Sequence, residues 1–128
     1  MSIKSINYEE NRMSNSLDEF ETIVYPVVGV TFDNRQEILQ DFYDRIYKVG
    51  GEFDIRLVKE DQNKYDSNAI AVMLAIDDEY KNIGYIAKTE NSALRESLPY
   101  IQKAKVRSMG YNYKGVLGVS IIVYIKKG

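Results

Sequence analysis

The chain has 128 residues, one domain's worth, with a formal net charge of −2, no cysteine and no histidine. A Cys/His zinc site, a Cys–His or Ser–His nucleophile pair and a histidine general base are therefore excluded. Any catalysis would have to run on carboxylates, lysine, tyrosine or a borrowed metal, and the expectation is a non-enzymatic domain without a cofactor. No apolar run approaches the ~18 residues of a membrane span, and the N-terminal stretch has no apolar h-region. The expectation is a cytoplasmic protein that does not engage a membrane.

Residues 1–22 are polar, with little apolar periodicity, and read as a flexible or weakly ordered arm. A folded domain is expected over 23–128. Ile23–Phe32 is rich in β-branched and aromatic residues and predicts a strand, in which Pro26, lacking a donor, should mark an edge, a bulge or a beginning. From Arg35 to Val49 the period changes. Ile38, Leu39, Phe42, Ile46 and Val49 recur at three and four residues, predicting a helix that Gly50-Gly51 stops.

Phe53, Ile55 and Leu57 alternate with Asp54 and Arg56, predicting a strand. A polar loop, Glu60–Asn68, follows. Ala69–Ala75 is expected as a strand with Ile70, Val72 and Leu74 on one face, and Asp77-Asp78-Glu79 as the turn to a short strand, Asn82–Ile86. Thr89 is expected to cap a helix with Ala93, Leu94 and Leu98 on its apolar side, stopped or kinked at Pro99. Lys103–Tyr113 and Val116–Ile125 predict a final hairpin whose last strand alternates cleanly. The order β-α-β-β-β-α-β-β, with short strands and two interposed helices, predicts a mainly β (α+β) fold: a small, partly open six-stranded barrel rather than a parallel sheet.

Charge is unevenly spread along this order. Residues 1–26 hold two basic and five acidic side chains, 27–80 six and twelve, and 81–128 nine and two. Such a chain can present a basic face while being acidic overall, or its halves can neutralise each other on folding.

The most distinctive stretch is Leu57–Val72, LVKEDQNKYDSNAIAV, where Asn63, Tyr65, Asp66 and Asn68 crowd one loop. These groups supply an aromatic face, a hydrogen-bond-accepting carboxylate and amides that donate and accept. That inventory suits a nucleotide whose base stacks and whose hydroxyl donates. The same residues also serve as turn formers, with Tyr65 packing over the barrel end. Asp61-x-Asn63-x-Tyr65 is not a calcium loop, because the sixth position is Asp66 and the twelfth Val72. Asp77, Asp78 and Glu79 read as a solvated turn. Gly110, Gly115 and Gly118 lack phosphate-loop spacing. Tyr111, Tyr113 and Tyr124 near Lys103, Lys105, Arg107 and Lys114 would make either a basic, aromatic surface for single strands or ordinary β-surface tyrosines.

Three blocks resemble the HIRAN family in order and spacing: VVGVTFDNRQ (Val27–Gln36), LVKEDQNKYDSNAIAV (Leu57–Val72) and NIGYIAK (Asn82–Lys88). The resemblance runs from about Val27 to Ile125. It implies an OB-like β-barrel module of a kind found fused to Swi/Snf-type remodelling ATPases and alone in bacteria and phages. In the eukaryotic fork-remodelling members the domain captures the 3′-hydroxyl end of single-stranded DNA. By that resemblance Asp66 would bond the terminal hydroxyl and Tyr65 would stack on or contact the end nucleotide. Asn63 and Asn68 would fix the loop, Lys88 would sit near phosphates, and Phe32 would stack on a base from the first strand. The chain departs from those members where their Arg-Tyr-Tyr reads Thr31-Phe32-Asp33. The usual loop Pro is also absent, with Asp61 and Lys64 at the candidate places. Asp33 would repel phosphate, and Arg35 would supply the missing cation from one turn onward.

The resemblance implies a non-catalytic binder of single-stranded DNA, set within DNA repair, with a basic face from residues 81–128 around the Tyr65/Asp66 loop. The alternative is a protein-interaction adaptor that uses the barrel or its acidic surface.

Overall fold

Strict apolar alternation builds the inner face of the last strand, where Val119, Ile121, Val123 and Ile125 are buried and Ser120, Ile122 and Tyr124 are half-buried. In the computed structural model, which describes residues 19–127, the strands are β1 (Phe20–Val28), β2 (Ile55–Lys59), β3 (Ile70–Ile76), β4 (Glu79–Ile86), β5 (Ile101–Tyr111) and β6 (Leu117–Lys126). Helix α1 (Arg35–Arg45) follows β1 and helix α2 (Lys88–Ser97) follows β4. The strand and helix order is the expected one. Of the expected N-terminal arm, Phe20–Thr22 stand within β1 and Glu19 precedes it, while residues 1–18 lie outside the described residues.

The six strands form one antiparallel sheet in the order β2-β3-β4-β1-β6-β5. It curls until its two edges meet at one point: Asp54 bridges Lys105, and the Val106 N–H donates to the Phe53 carbonyl at 2.9 Å. No ladder joins β2 to β5 beyond this, so the barrel is partly open, as expected. Inside it, Ile70, Val72, Leu74, Ile83, Leu117, Ile121 and Val123 are fully buried. Leu39 and Phe42 of α1 close one end, and Phe42 meets Phe53 edge-on at 5.1 Å. Each such side chain contributes roughly 1.5–3 kcal/mol through burial.

Several local expectations are corrected. Pro26 is not at an edge, because β1 is an interior strand. It pairs with Ser120 where the ladder to β6 ends and the ladder to β4 begins, at Val27–Ile86. Its missing donor therefore falls at a break between ladders. The α-helix ends at Arg45, and Tyr47–Val49 tighten into a 3-10 turn. With three residues per turn the apolar stripe loses its phase, and Val49 is left 83% exposed. Thr89 does not cap α2. The helix begins at Lys88 with Ala87 at the N-cap and no side-chain cap. Ala93 is exposed, and the buried face is Asn91 and Leu94, with Leu98 half-buried beyond them. Pro99 does sit in a 3-10 turn, Leu98–Tyr100, that ends the helical segment.

The junction of β1 and β4 fixes the geometry that follows. Along β4 the register with β3 shifts between Gly84 and Asn82, leaving Ile83 as the extra residue of a bulge. Gly84 there takes φ +149°, and a Cβ on it would collide with the Val28 carbonyl oxygen and with Val27 Cγ1. Only glycine allows β1 to lie this close. Gly84→Ala should therefore lower unfolding stability by about 2–4 kcal/mol, combining backbone strain with overpacking. Urea unfolding checks this, and a loss under ~0.5 kcal/mol would mean that β1 and β4 can separate freely.

Candidate nucleic-acid interface

Where β1 ends on β4 the chain must turn sharply to enter α1. Gly29 has φ +74° and Asp33 has φ +55°, and the Phe32 N–H donates back to the Gly29 carbonyl at 3.3 Å. Phe32 therefore lies in this turn rather than in the first strand, correcting the expectation, and its ring is 66% exposed. Arg35, the first residue of α1, folds back over the turn. Its Nη1 donates to the Gly29 carbonyl at 2.7 Å, its Nη2 lies 3.5 Å from the Asp33 carboxylate, and its guanidinium sits 5.2 Å from the Tyr85 ring centre.

The polar loop between β2 and β3 forms the facing wall. Asn63 organises it: its Oδ1 accepts the N–H groups of Tyr65 at 2.9 Å and Asp66 at 3.0 Å, and its Nδ2 donates to Glu60 at 3.0 Å. Asp66 is held in turn from both sides. One carboxylate oxygen accepts the Asn68 N–H at 2.9 Å and the other accepts Asn91 Nδ2 at 2.8 Å. These two bonds, aided by Lys88 and Arg95, hold its pKa below the ordinary carboxylate range, outweighing partial desolvation. With one bond on each oxygen, Asp66 still has lone pairs for a further donor. Tyr65 is 81% exposed, with Lys64 Nζ 5.2 Å from its ring centre, so the ring does not pack over the barrel end, while its neighbours do act as turn formers.

Between these walls lies a cleft of about 750 Å³. Phe32 and Arg35 line one side, Asn63, Tyr65 and Asp66 the other, and Tyr85 with Ile86 the floor, while Lys88 and Asn91 reach it from α2. Six of the seven residues singled out from the sequence thus border one cavity. Asn68 does not line it and contributes its N–H to Asp66 instead. The cleft's charges are balanced, with Arg35 and Lys88 against Asp33 and Asp66. The expected basic face around the loop is not what the fold builds. Of the nine cations after residue 80, Lys88 lines the cleft, and Arg95 is spent on Asp61 of the loop at 2.6 Å. Lys103 and Lys105 lie elsewhere, paired to Glu52 at 2.8 and 2.9 Å.

Two cleft residues escaped the sequence reading. Tyr85 projects onto the floor because its strand neighbours Gly84 and Ile86 face inward. Its hydroxyl donates to Glu60 at 2.7 Å, and burial together with that carboxylate raises its pKa, so it stays a donor. Asn91 is 2% exposed, the one buried polar side chain of the described core. Its place three residues before Leu94 on a helix was the available signal.

A cleft with exposed aromatic rings and a held carboxylate on a partly open barrel offers a ligand stacking faces and a hydrogen-bond acceptor. The family model of the HIRAN domain matches residues 20–124, and the chain belongs to that family. HIRAN domains are DNA-binding modules. Neither the curated proteins nor the solved structures contain a match to the chain. No helix among the described residues is long and apolar enough to cross a membrane.

Because the Asp66 pKa is depressed on folding, its stabilisation is fully present above the unfolded value of ~3.9 and is lost as pH falls through the lower folded value. Protection of the Asn68 amide against hydrogen exchange should therefore hold at pH 5 and fall as the pH is lowered below ~4. Asn91→Ala should move the Asp66 carboxyl titration upward toward the ordinary value, as followed by carbon NMR. An unchanged titration would remove Asn91 from the site.

Proposed function

We propose that this domain binds single-stranded DNA without turnover and holds a free 3′-hydroxyl end in the cleft. The observation that carries this reading is the pairing of two exposed rings, Phe32 and Tyr65, with the bound and oriented carboxylate of Asp66. Aromatic rings left in water gain when bases stack on them, at about 1–3 kcal/mol per base. An ionised carboxylate accepts from a hydroxyl and repels a phosphate, so the same group selects a hydroxyl terminus over a phosphorylated one. Lys88 stands at the uncapped first turn of α2, where a cation meets the positive end of the helix dipole. A phosphate there relieves both the lysine and the orphan N–H groups. Arg35, tied to Gly29 and Asp33, serves better as a fixed stacking cation beside Phe32 than as a mobile phosphate clamp. With few phosphates held and the cleft's charges balanced, affinity should be modest and its salt dependence shallow.

Fluorescence anisotropy with short DNA strands ending in a 3′-hydroxyl or a 3′-phosphate, at low and moderate salt, tests this. The hydroxyl end should bind at least several-fold tighter. Asp66→Asn should erase that preference while keeping the loop, since an amide oxygen still accepts the Asn68 N–H and Asn91 can turn its carbonyl to face the new amide. Phe32→Ala and Tyr65→Ala should each weaken binding roughly tenfold for either end. Equal binding of both ends by the parent would overturn end capture in the cleft, and no binding of either strand at low salt would move the function to a protein partner.

A further inference from the structure

We propose that the surface where the C-terminal end of α1 meets the β5–β6 hairpin is a second contact for single-stranded nucleic acid, taking internal nucleotides rather than an end. A groove of about 350 Å³ opens there between Tyr43, Tyr47 and Lys48 on one side and Phe53 and Arg107 on the other. Tyr43 and Tyr47 stack with centres 5.5 Å apart, and Tyr111 of the hairpin stands edge-on to Tyr43, also at 5.5 Å. Tyr111 is 49% exposed, and Tyr113 at the hairpin tip is 92% exposed.

That tip is ordered rather than loose. Asn112 Oδ1 accepts the N–H groups of Lys114 at 2.8 Å and Val116 at 3.0 Å, and the Asn112 N–H donates to Val116 at 2.9 Å. The fold therefore holds the Tyr113 ring in water, where it contributes almost no packing to the barrel. Lys114 lies 5.7 Å from that ring, and Arg107 is exposed beside the groove. Among the described residues neither cation is ion-paired, whereas Lys103 and Lys105, on the strand that carries Arg107, share the single carboxylate of Glu52. Lys48 pairs with Asp44. The patch thus carries an excess of positive charge on a chain of net charge −2.

Several tyrosine faces interleaved with uncompensated cations match an unpaired strand, whose bases offer π-faces and whose backbone offers phosphates. Asp44 is taken by Lys48, and Glu52, between the groove residues Gly51 and Phe53, is taken by Lys103 and Lys105, so neither is set to select a terminal hydroxyl. Arg35 and Tyr43 are eight residues apart on α1, ~12 Å at 1.5 Å per residue. A strand stacked at ~3.4 Å per nucleotide covers that distance in about four nucleotides. Length then separates the two surfaces: a trinucleotide reaches the cleft alone, and a dodecamer reaches both.

The test compares the full chain with an Arg107→Ser, Tyr113→Ser, Lys114→Ser triple variant, whose three sites are exposed and outside the core, using a trinucleotide and a dodecamer with free 3′-hydroxyls. The variant should bind the dodecamer roughly tenfold more weakly, with a salt slope shallower by about 1.4 for the two lost cations. Its trinucleotide binding should equal the parent's. Parental dodecamer affinity in the variant would overturn the proposal while leaving the cleft reading intact. A parent indifferent to the 3′ end whose dodecamer binding still falls in the variant would sink the cleft reading and sustain the patch. Failure of the parent to bind the dodecamer at low salt, or capture of an acidic peptide in its place, would overturn the proposal in favour of a protein partner.

Discussion

The close approach of β1 to β4 at Gly84 is the constraint on which the cleft depends. β1 first follows β6 and then crosses onto β4 for its last two residues, which a side chain at position 84 would prevent. The approach lays the Gly29–Arg35 turn over Tyr85, so the cation of one element rests on the ring of the other. The Ile83 bulge lets Ile83 and Ile86 both face the core while Tyr85 faces out. Gln36 secures the arrangement from behind, its amide bonding the Val30 carbonyl and both backbone groups of Leu117 at the start of β6. A single missing methyl group thus sets the floor and one wall of the site.

The opposite wall is built from hydrogen bonds rather than apolar burial. Glu60, Asn63, Asp66 and Asn91 bond one another or the backbone between them, and Glu60 also takes the Tyr85 hydroxyl. A polar loop spends its backbone groups on side chains in this way because it has no ladder to join. The consequence is preorganisation: Asp66 reaches the cleft already ionised and aimed, and a ligand need not pay to order it. The same wiring gives Asp66 two tasks, since it supports the loop whether or not anything is bound.

HIRAN membership makes the chain one of a family of DNA-binding modules, and its cleft offers exposed rings and a held carboxylate rather than an excess of positive charge. Among the described residues, six of its cations are ion-paired within the fold, on Asp33, Asp44, Asp61, Glu52, and on Asp41 and Asp77 through Arg45, and the net charge of the chain is −2. A protein so neutralised gains little from long-range attraction to a polyanion. On the proposed reading its contacts with a strand come from stacking and a few placed bonds, for which Phe32 and Tyr65 lie toward one end of α1 and Tyr111 toward the other.

Much of this was legible in the residues themselves. Alternation marked the buried faces of β3 and β6, the three-and-four spacing marked Leu39 and Phe42, and the crowding of Asn63, Tyr65, Asp66 and Asn68 marked the loop. Each of these is a local pattern, determined by backbone period and side-chain chemistry within a dozen residues. What the tertiary structure alone decided lies between elements. Phe32 left the strand because β1 had to stop at Gly84, and Val49 was exposed because the helix tightened against Gly50. Asn91 became a cleft residue only because α2 carries it beneath Asp66, twenty-five residues away in sequence. The basic third of the chain did not form one face, because its side chains lie on strands and a helix that point in different directions and find different acids. Local pattern selects an element and its buried side. Which charges and rings then meet depends on how the barrel closes, and that is settled by contacts no single segment contains.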